Sequence, residues 1–262
     1  MQPDETAEPI LQTNFQRIEE KFRLSPQEGL ALYNQTAAKT KLDEFIPGQT
    51  ISTITTLYCD GAELPFFRAA KAGGARNRIR VRLYGELQES SDAFGWVEWK
   101  RSPPRGEKGY TTKKRFRVPR EHLSSFFTKS FTDEDIRSFQ KHKKNAEEAI
   151  ECYHQLTDLM GLYSLSPLVA SHYHRRALLL GDGPDRATFD FDLGYSLVSW
   201  EDGALRLTNT IEDRAVIVEL KYSSPLAGWL QELALGFQPA VGFSKFERAL
   251  ELCWLSNHSR DK

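Results

Sequence analysis

The sequence predicts an α+β fold: about eight mostly antiparallel strands with one charged and one apolar face, and helices against the apolar side. Three observations lead there. Extended segments alternate charged and aliphatic residues with period two, which sends successive side chains to opposite faces of a strand. The clearest is Arg78-Ile79-Arg80-Val81-Arg82-Leu83-Tyr84, with three guanidinium groups on one face. Most connections between these segments are short, which favours antiparallel pairing. Amphipathic helical segments stand near the beginning, middle and end of the chain.

Residues 1–12 are polar and acidic and read as a tail; residues 13–258 read as one domain. The first strand runs from Asn14 to Leu24, with Arg17, Glu19, Lys21 and Arg23 sharing a face. Ser25-Pro26-Gln27-Glu28 is a helix start with an N-cap Ser, an early Pro and a Glu three residues on, and the helix should reach about Lys39. Strands follow at Thr53–Cys59, after Gly73-Gly74, and at Phe94–Arg101, where Glu98 and Lys100 oppose Val97 and Trp99. Beyond a polar loop at 103–109, Lys113, Arg115 and Arg117 alternate with Lys114, Phe116 and Val118.

Residues 119–131 read as short helical or irregular structure. Thr132-Asp133-Glu134-Asp135 then opens one long helix to about Met160, with its apolar spacing interrupted at Lys141–Lys144. Strands resume at Val169–Leu178, with Ser171, Tyr173 and Arg175 on one face, and after a turn at Gly181-Asp182-Gly183. There Arg186, Thr188, Asp190 and Asp192 are expected to share a face. Leu205–Thr210 and Ala215–Tyr222 complete the strands, the last with Glu219 and Lys221 together. Helices at Pro225–Leu235 and Ser244–Trp254 close the chain, the second opening with another capping box, Ser244 to Glu247.

The chain has 262 residues, within range for one large β-barrel domain, and its 40% hydrophobic content supports a real core. With 35 basic and 36 acidic residues the net charge is −1, so a cationic site must arise by segregation and a generally basic nucleic-acid binder is excluded. Cys59, Cys152 and Cys253 are odd in number and widely spaced. They point to a reducing, cytoplasmic setting and away from a disulfide framework or structural zinc. No membrane-span or signal segment is evident.

Charged stripes on at least six strands allow two arrangements. An open sheet would turn them to water. A closed barrel would turn them into a lumen, with helices packed outside. The barrel accounts better for the many outward apolar residues and for a lumen rich in Arg and Lys, which requires anions inside it. Glu19, Glu98 and Glu219 fall among those cations. Glu98 reads as a salt-bridge partner of Lys100. Glu219 could serve a hard divalent cation, which takes few carboxylates together with phosphate oxygens and water. His172 and His174 lie on the face opposite Arg175 and read as exterior residues.

The motifs RIEEKF (17–22), TLYCD (56–60), RIRVRLYG (78–85), VEWKR (97–101), EKGYTTKKRF (107–116), SHYHRRA (171–177), RATFDFDL (186–193), VELKY (218–222) and GFSKFE (242–247) occur in the order of the VTC domain, which the chain resembles from residue 14 to about 255. That is the catalytic domain of the vacuolar transporter chaperone polyphosphate polymerase and its bacterial relatives, within the CYTH-like triphosphate tunnel metalloenzymes. The resemblance implies an eight-stranded antiparallel tunnel and a stand-alone bacterial member. It implies ATP and inorganic polyphosphate as partners and Mn²⁺ or Mg²⁺ as cofactor. Carried over by motif, Arg80, Arg82, Arg175, Arg186 and Lys21 would act in catalysis, and Arg78, Lys100, Lys113, Arg115, Tyr173, Lys221 and Lys245 would bind phosphate. Glu219 would hold the metal, with Glu19 as a second candidate.

Hydrolytic relatives of the CYTH type open with ExExK, whereas this chain reads RxExK from Arg17. Water as a nucleophile needs orientation and partial deprotonation, whereas a phosphate oxygen needs mainly positioning. Loss of one carboxylate therefore favours transfer to polyphosphate. A tripolyphosphatase or nucleoside triphosphatase, and a non-catalytic polyphosphate binder, are the rivals. Neither an SPX domain nor a membrane span is present in the sequence, which leaves room for a separate membrane partner.

Overall fold

The computed structural model describes residues 18–44, 49–85, 94–104, 106–107, 110–142, 145–223 and 226–256. The acidic tail, Arg17, the start of the first strand and Pro225 lie outside them. The described strands are β1 (Ile18–Leu24), β2 (Lys41–Leu42), β3 (Ser52–Asp60), β4 (Arg76–Tyr84), β5 (Phe94–Ser102), β6 (Thr112–Pro119), β7 (Ser166–Leu179), β8 (Arg186–Glu201), β9 (Ala204–Asp213) and β10 (Val216–Tyr222). The helices are α1 (Pro26–Ala37), α2 (Pro65–Lys71), α3 (Leu123–Phe126), α4 (Asp133–Ser138), α5 (Ala146–Tyr163), α6 (Gly228–Leu235) and α7 (Lys245–Ala249).

The strands form one antiparallel sheet in the order β1-β10-β8-β7-β3-β4-β5-β6, with β2 on β7 and β9 on β8. This is ten strands rather than eight, and the sheet does not close: among the described residues β6 does not pair with β1. The expected closed barrel is thereby corrected. One physical reason is visible at the β6 edge. The Gln140 amide accepts from the Arg117 N–H at 3.2 Å and donates to the Arg117 carbonyl at 3.1 Å, taking hydrogen bonds that a neighbouring strand would use.

The sheet nevertheless bends far round. In a flat sheet β1 and β5 would stand six strand spacings apart, about 29 Å. Yet Lys100 of β5 feels the charges of Glu19 and Lys21 in β1, and Lys21 feels Arg78 of β4. Only a strongly curved sheet brings these groups within reach.

The outer face carries two apolar layers. One joins Ile79, Val81, Val97, Phe116 and Val118 to α3, α4 and α5 through Phe126, Ile136, Ile150, Tyr153 and Leu156. The other joins Phe22, Leu178, Phe189, Val216 and Val218 to α1 through Leu32. At Gly29 the helix runs so close to β10 that an added Cβ would lie 2.4 Å from Val216 Cβ. The α1 start has the expected capping box at Ser25 and Glu28.

Four further expectations are revised. The long helix opened by Thr132 is two helices, α4 and α5, separated where the apolar spacing lapses; the Gln140 amide also donates to the Ile136 carbonyl at 3.0 Å. Only half of the second capping box forms, because Ser244 accepts from the Glu247 N–H while the Glu247 carboxylate pairs with Lys71 at 3.3 Å. The strand begun at Arg186 continues to Glu201 and turns back through Asp202 (φ 50°) and Gly203 (φ 79°) into β9. Finally, not every helix is outside. Phe246, Ala249 and Leu250 of the last helical segment pack against Ile54, Tyr58, Tyr173, Tyr195 and Ile217. Register puts Tyr58 beside Arg80 and Ile54 beside Tyr84, so α7 rests on the inner face and fills part of it with apolar contacts.

Candidate functional site

Cross-strand register assembles the charged face. Arg78, Arg80 and Arg82 of β4 stand opposite Lys100, Glu98 and Trp96 of β5. Lys100 and Glu98 in turn stand opposite Lys113 and Arg115 of β6. Across β3, Thr56 faces Arg82 on one side and Ser171 on the other, leading to Tyr173 and Arg175. Arg175 meets Asp190 of β8, and Thr188 meets Glu219 of β10, which meets Lys21 of β1. The sequence-predicted residues therefore converge on one concave surface.

Three carboxylate-centred clusters organise it. Glu98, 1% exposed, accepts from Arg80 Nε at 2.7 Å and ion-pairs with Lys113 at 2.6 Å; Arg82 lies at 3.9 Å. Its partners are thus Arg80 and Lys113, not the expected Lys100. Burial opposes ionisation of Glu98, but Arg80, Arg82 and Lys113 outweigh it and hold the carboxyl well below its ordinary range. Burial draws the Lys113 ammonium down to about 8; Glu98 acts the other way, and 42% of the side chain still meets solvent.

The second cluster centres on buried Asp190, which accepts from Arg175 Nε at 2.6 Å and Nη2 at 2.8 Å and also receives Lys245 from α7. The Lys245 ammonium sits 3.6 Å from the Tyr173 ring centroid. Burial raises the Tyr173 phenol, yet Lys245, Arg175 and Arg82 more than offset it and the net shift is downward.

The third cluster joins β1 and β10. Lys21 lies 2.7 Å from Glu19 and 3.5 Å from Glu219, and Lys221 lies 3.1 Å from Glu219. Burial opposes the charge on Glu219; a hydrogen bond with Glu19, then Lys221, Lys21 and Arg175, lower its pKa well below the ordinary value. Lys21 thus stands between the Glu19 and Glu219 carboxylates, two oxygen donors on adjacent strands. This donor set suits a hard divalent ion that completes its shell with phosphate oxygens and water. Among the described residues no group of three or more His, Cys, Asp or Glu converges.

Other cations on this surface lack such partners. Arg78 and Lys100 face each other and Lys100 faces Lys113, yet neither Arg78 nor Lys100 makes an ion pair among the described residues. Burial, then like-charged neighbours, lowers the pKa of both; Glu19 partly opposes this at Lys100 and Glu247 at Arg78. Arg82 Nε, Arg186 Nε, Thr56 Oγ1 and Thr188 Oγ1 are buried without a hydrogen-bond partner among the described residues. Orphaned donors on a cationic surface are the complement of an anion with many acceptor oxygens.

Arg186 stands at the margin, with its Nη1 3.2 Å from Asp43, a partner the strand pattern did not reveal. Arg115 is exposed and lies over Trp96 at 4.5 Å. Asp192 does not share the Arg186 face. It is an extra residue at a bulge with φ 52°, and its carboxylate meets His174 at 3.0 Å on the exterior. His172 is also exterior-facing, bonded to Thr55 at 2.9 Å.

Residues 16–253 match the family described as the VTC domain. The chain belongs to that family. No curated protein matches it. Among solved structures, a Bacillus halodurans protein provisionally named an adenylate cyclase is 13% identical; the match covers 88% of this chain and 96% of that one, with a TM-score of 0.48. A Pyrococcus horikoshii protein is 12% identical over 90% of this chain and 98% of its own, with a TM-score of 0.42. A Vibrio parahaemolyticus protein, also provisionally named an adenylate cyclase, is 12% identical over 92% and 99%, with a TM-score of 0.42. Members of the VTC family generally depend on a divalent metal. No helix among the described residues is long and apolar enough to cross a membrane.

Proposed function

We propose that this VTC-family protein is a metal-dependent polyphosphate polymerase, transferring the γ-phosphoryl group of ATP to the end of a polyphosphate chain. The observation that carries the reading is the row Arg78–Lys100–Lys113, three like charges side by side across adjacent strands. Direct like-charge opposition destabilises a sheet, and a polyphosphate lying along the row would reverse the sign.

In this reading a terminal oxygen of the chain forms a bond to Pγ while the Pγ–O bond to the β-phosphate breaks and ADP leaves with the electron pair. The oxygen is already ionised, so no general base is required. Arg80, Arg82 and Arg175 hold the transferring and neighbouring phosphates in line, and their fixed charges offset the charge that develops. Glu98 and Asp190 fix two of those guanidinium groups in place before substrate arrives. Lys21, Lys221 and Lys245 neutralise further oxygens, and Arg78, Lys100 and Lys113 carry the chain. Arg186 and Arg115 act at the margins, and the Tyr173 hydroxyl donates to phosphate. Glu219, with Glu19, would hold Mn²⁺ or Mg²⁺, which when bound would supply charge neutralisation at bridging phosphate oxygens.

Incubation of purified protein with ATP and Mn²⁺ or Mg²⁺, followed by gel staining, tests this. Long chains are expected. Release of orthophosphate without polymer would establish the triphosphatase instead, and binding without turnover across both metals would leave a polyphosphate-binding module.

A further inference from the structure

The two apolar layers of the outer face are separate clusters. On β7 and the first half of β3 the outward side chains are polar instead: His174 stands beside Thr53, and His172 beside Thr55. A cavity of about 600 Å³ opens here, and its lining includes Leu30, Ile51, His174, Arg176, Phe191 and Asp192. Along β7, His174 and Arg176 alternate with Tyr173 and Arg175, so they face away from the concave surface. The volume lies within the range of small-molecule sites.

Two features give this cavity a chemical preference. The Arg176 guanidinium lies 4.9 Å from the Tyr33 ring centroid and 5.5 Å from that of Phe191. It makes no hydrogen bond or ion pair among the described residues. Ring faces attract the cation but leave its N–H groups available to an anion. Beside that charge, Leu30 of α1 and Ile51 are 47% and 41% exposed, large apolar side chains left open to solvent. The one carboxylate of the lining, Asp192, accepts from His174 Nδ1 at 3.0 Å and opposes the approach of a second negative charge. A lone guanidinium next to apolar walls and a carboxylate complements a singly charged organic anion and disfavours a polyanion.

We infer that this outer groove is a second binding site, for a small organic anion with one charged end and an apolar body. The charged end takes the Arg176 N–H groups, and the body lies against Leu30, Ile51 and Phe191. The inference is independent of the reaction proposed for the concave face, and polyphosphate is not its ligand.

The test uses anilinonaphthalene sulfonate, a single negative charge on an apolar ring system, with the full chain. Saturable binding with a rise in fluorescence is expected, displaced by octanoate but not by octanol or tripolyphosphate. Arg176→Gln should weaken binding by about ten- to a hundredfold, the range of one lost charge-assisted hydrogen bond. Leu30→Glu puts a negative charge on the apolar wall at an exposed position and should weaken binding comparably, with thermal unfolding unchanged. That variant keeps the site testable if Arg176→Gln does not fold. Absence of binding to the unaltered protein, displacement by tripolyphosphate, equal displacement by octanol and octanoate, or unchanged affinity in either folded variant overturns the site.

Discussion

The wall built from β4, β5 and β6 and the wall built from β1, β10 and β8 use the same residue types in different proportions. On the first, Glu98 is the single carboxylate among Arg78, Arg80, Arg82, Lys100 and Lys113. On the second, Glu19, Glu219 and Asp190 stand among Lys21, Lys221 and Arg186, and Arg23 is met by Asp213 at 2.8 Å. A surplus of positive charge leaves the first wall electrostatically incomplete, and a bound anion would complete it. The near balance of the second, with the Glu19 and Glu219 carboxylates gathered round Lys21, suits a divalent cation that arrives with its own phosphate ligands. A metal–nucleotide complex presents both complements at once.

Substitutions on the two walls separate these roles. The largest effect is expected at Glu98. Glu98→Gln leaves Arg80, Arg82 and Lys113 without their counter-ion, and breaking a buried pair costs about 3–5 kcal/mol. Thermal unfolding should shift down accordingly, and saturating tripolyphosphate should recover much of the loss. The pH dependence has a defined sign. Because the folded-state pKa of Glu98 is depressed, its contribution is complete above the ordinary glutamate range near 4.3 and declines as pH falls below it. Stability that falls instead between pH 5 and 8 by this route would contradict the assignment.

Next come the residues proposed to touch substrate. A charge-assisted hydrogen bond contributes roughly 1.5–3 kcal/mol, so Arg80→Ala should slow phosphoryl transfer by about ten- to a hundredfold. Glu219→Gln should raise the metal concentration needed for half-maximal rate while leaving tripolyphosphate binding without metal nearly intact. An unchanged metal requirement would move the cation elsewhere.

A smaller effect is expected at Lys113, whose ammonium has a pKa of about 8. Bound phosphate favours its charged form, so binding near pH 8 should take up protons. Affinity should decline as pH rises through that value, and Lys113→Gln should flatten the decline and abolish the uptake, both readable by calorimetry in buffers of different ionisation enthalpy. The smallest effect belongs to the exterior: Lys114→Ala, which loses an exposed pair with Glu151, should change stability by about 0–1 kcal/mol and activity not at all.

How much of this was legible in the residue order depended on period. Strict alternation revealed the inner positions of β4, β5, β6 and β10, because each side chain's face follows from its parity. Parity failed at Asp192, where one extra residue with positive φ reversed the face. Trp96 is readable by the same rule, since it stands two residues before Glu98. The inward seat of α7 was hidden for a different reason: an amphipathic helix fits an apolar patch on either face of a sheet. Closure was also beyond reach, because it depends on which groups satisfy the last edges: residues 239–240 take positions on β1, and on β6 it is the Gln140 amide.

That glutamine has a wider consequence. A fully closed barrel has its girth fixed by strand number and shear. Here the circumference is interrupted between β6 and β1 among the described residues, so no continuous ladder fixes the span between the two arms. Such a hoop would adjust its gauge to the charge threaded through it.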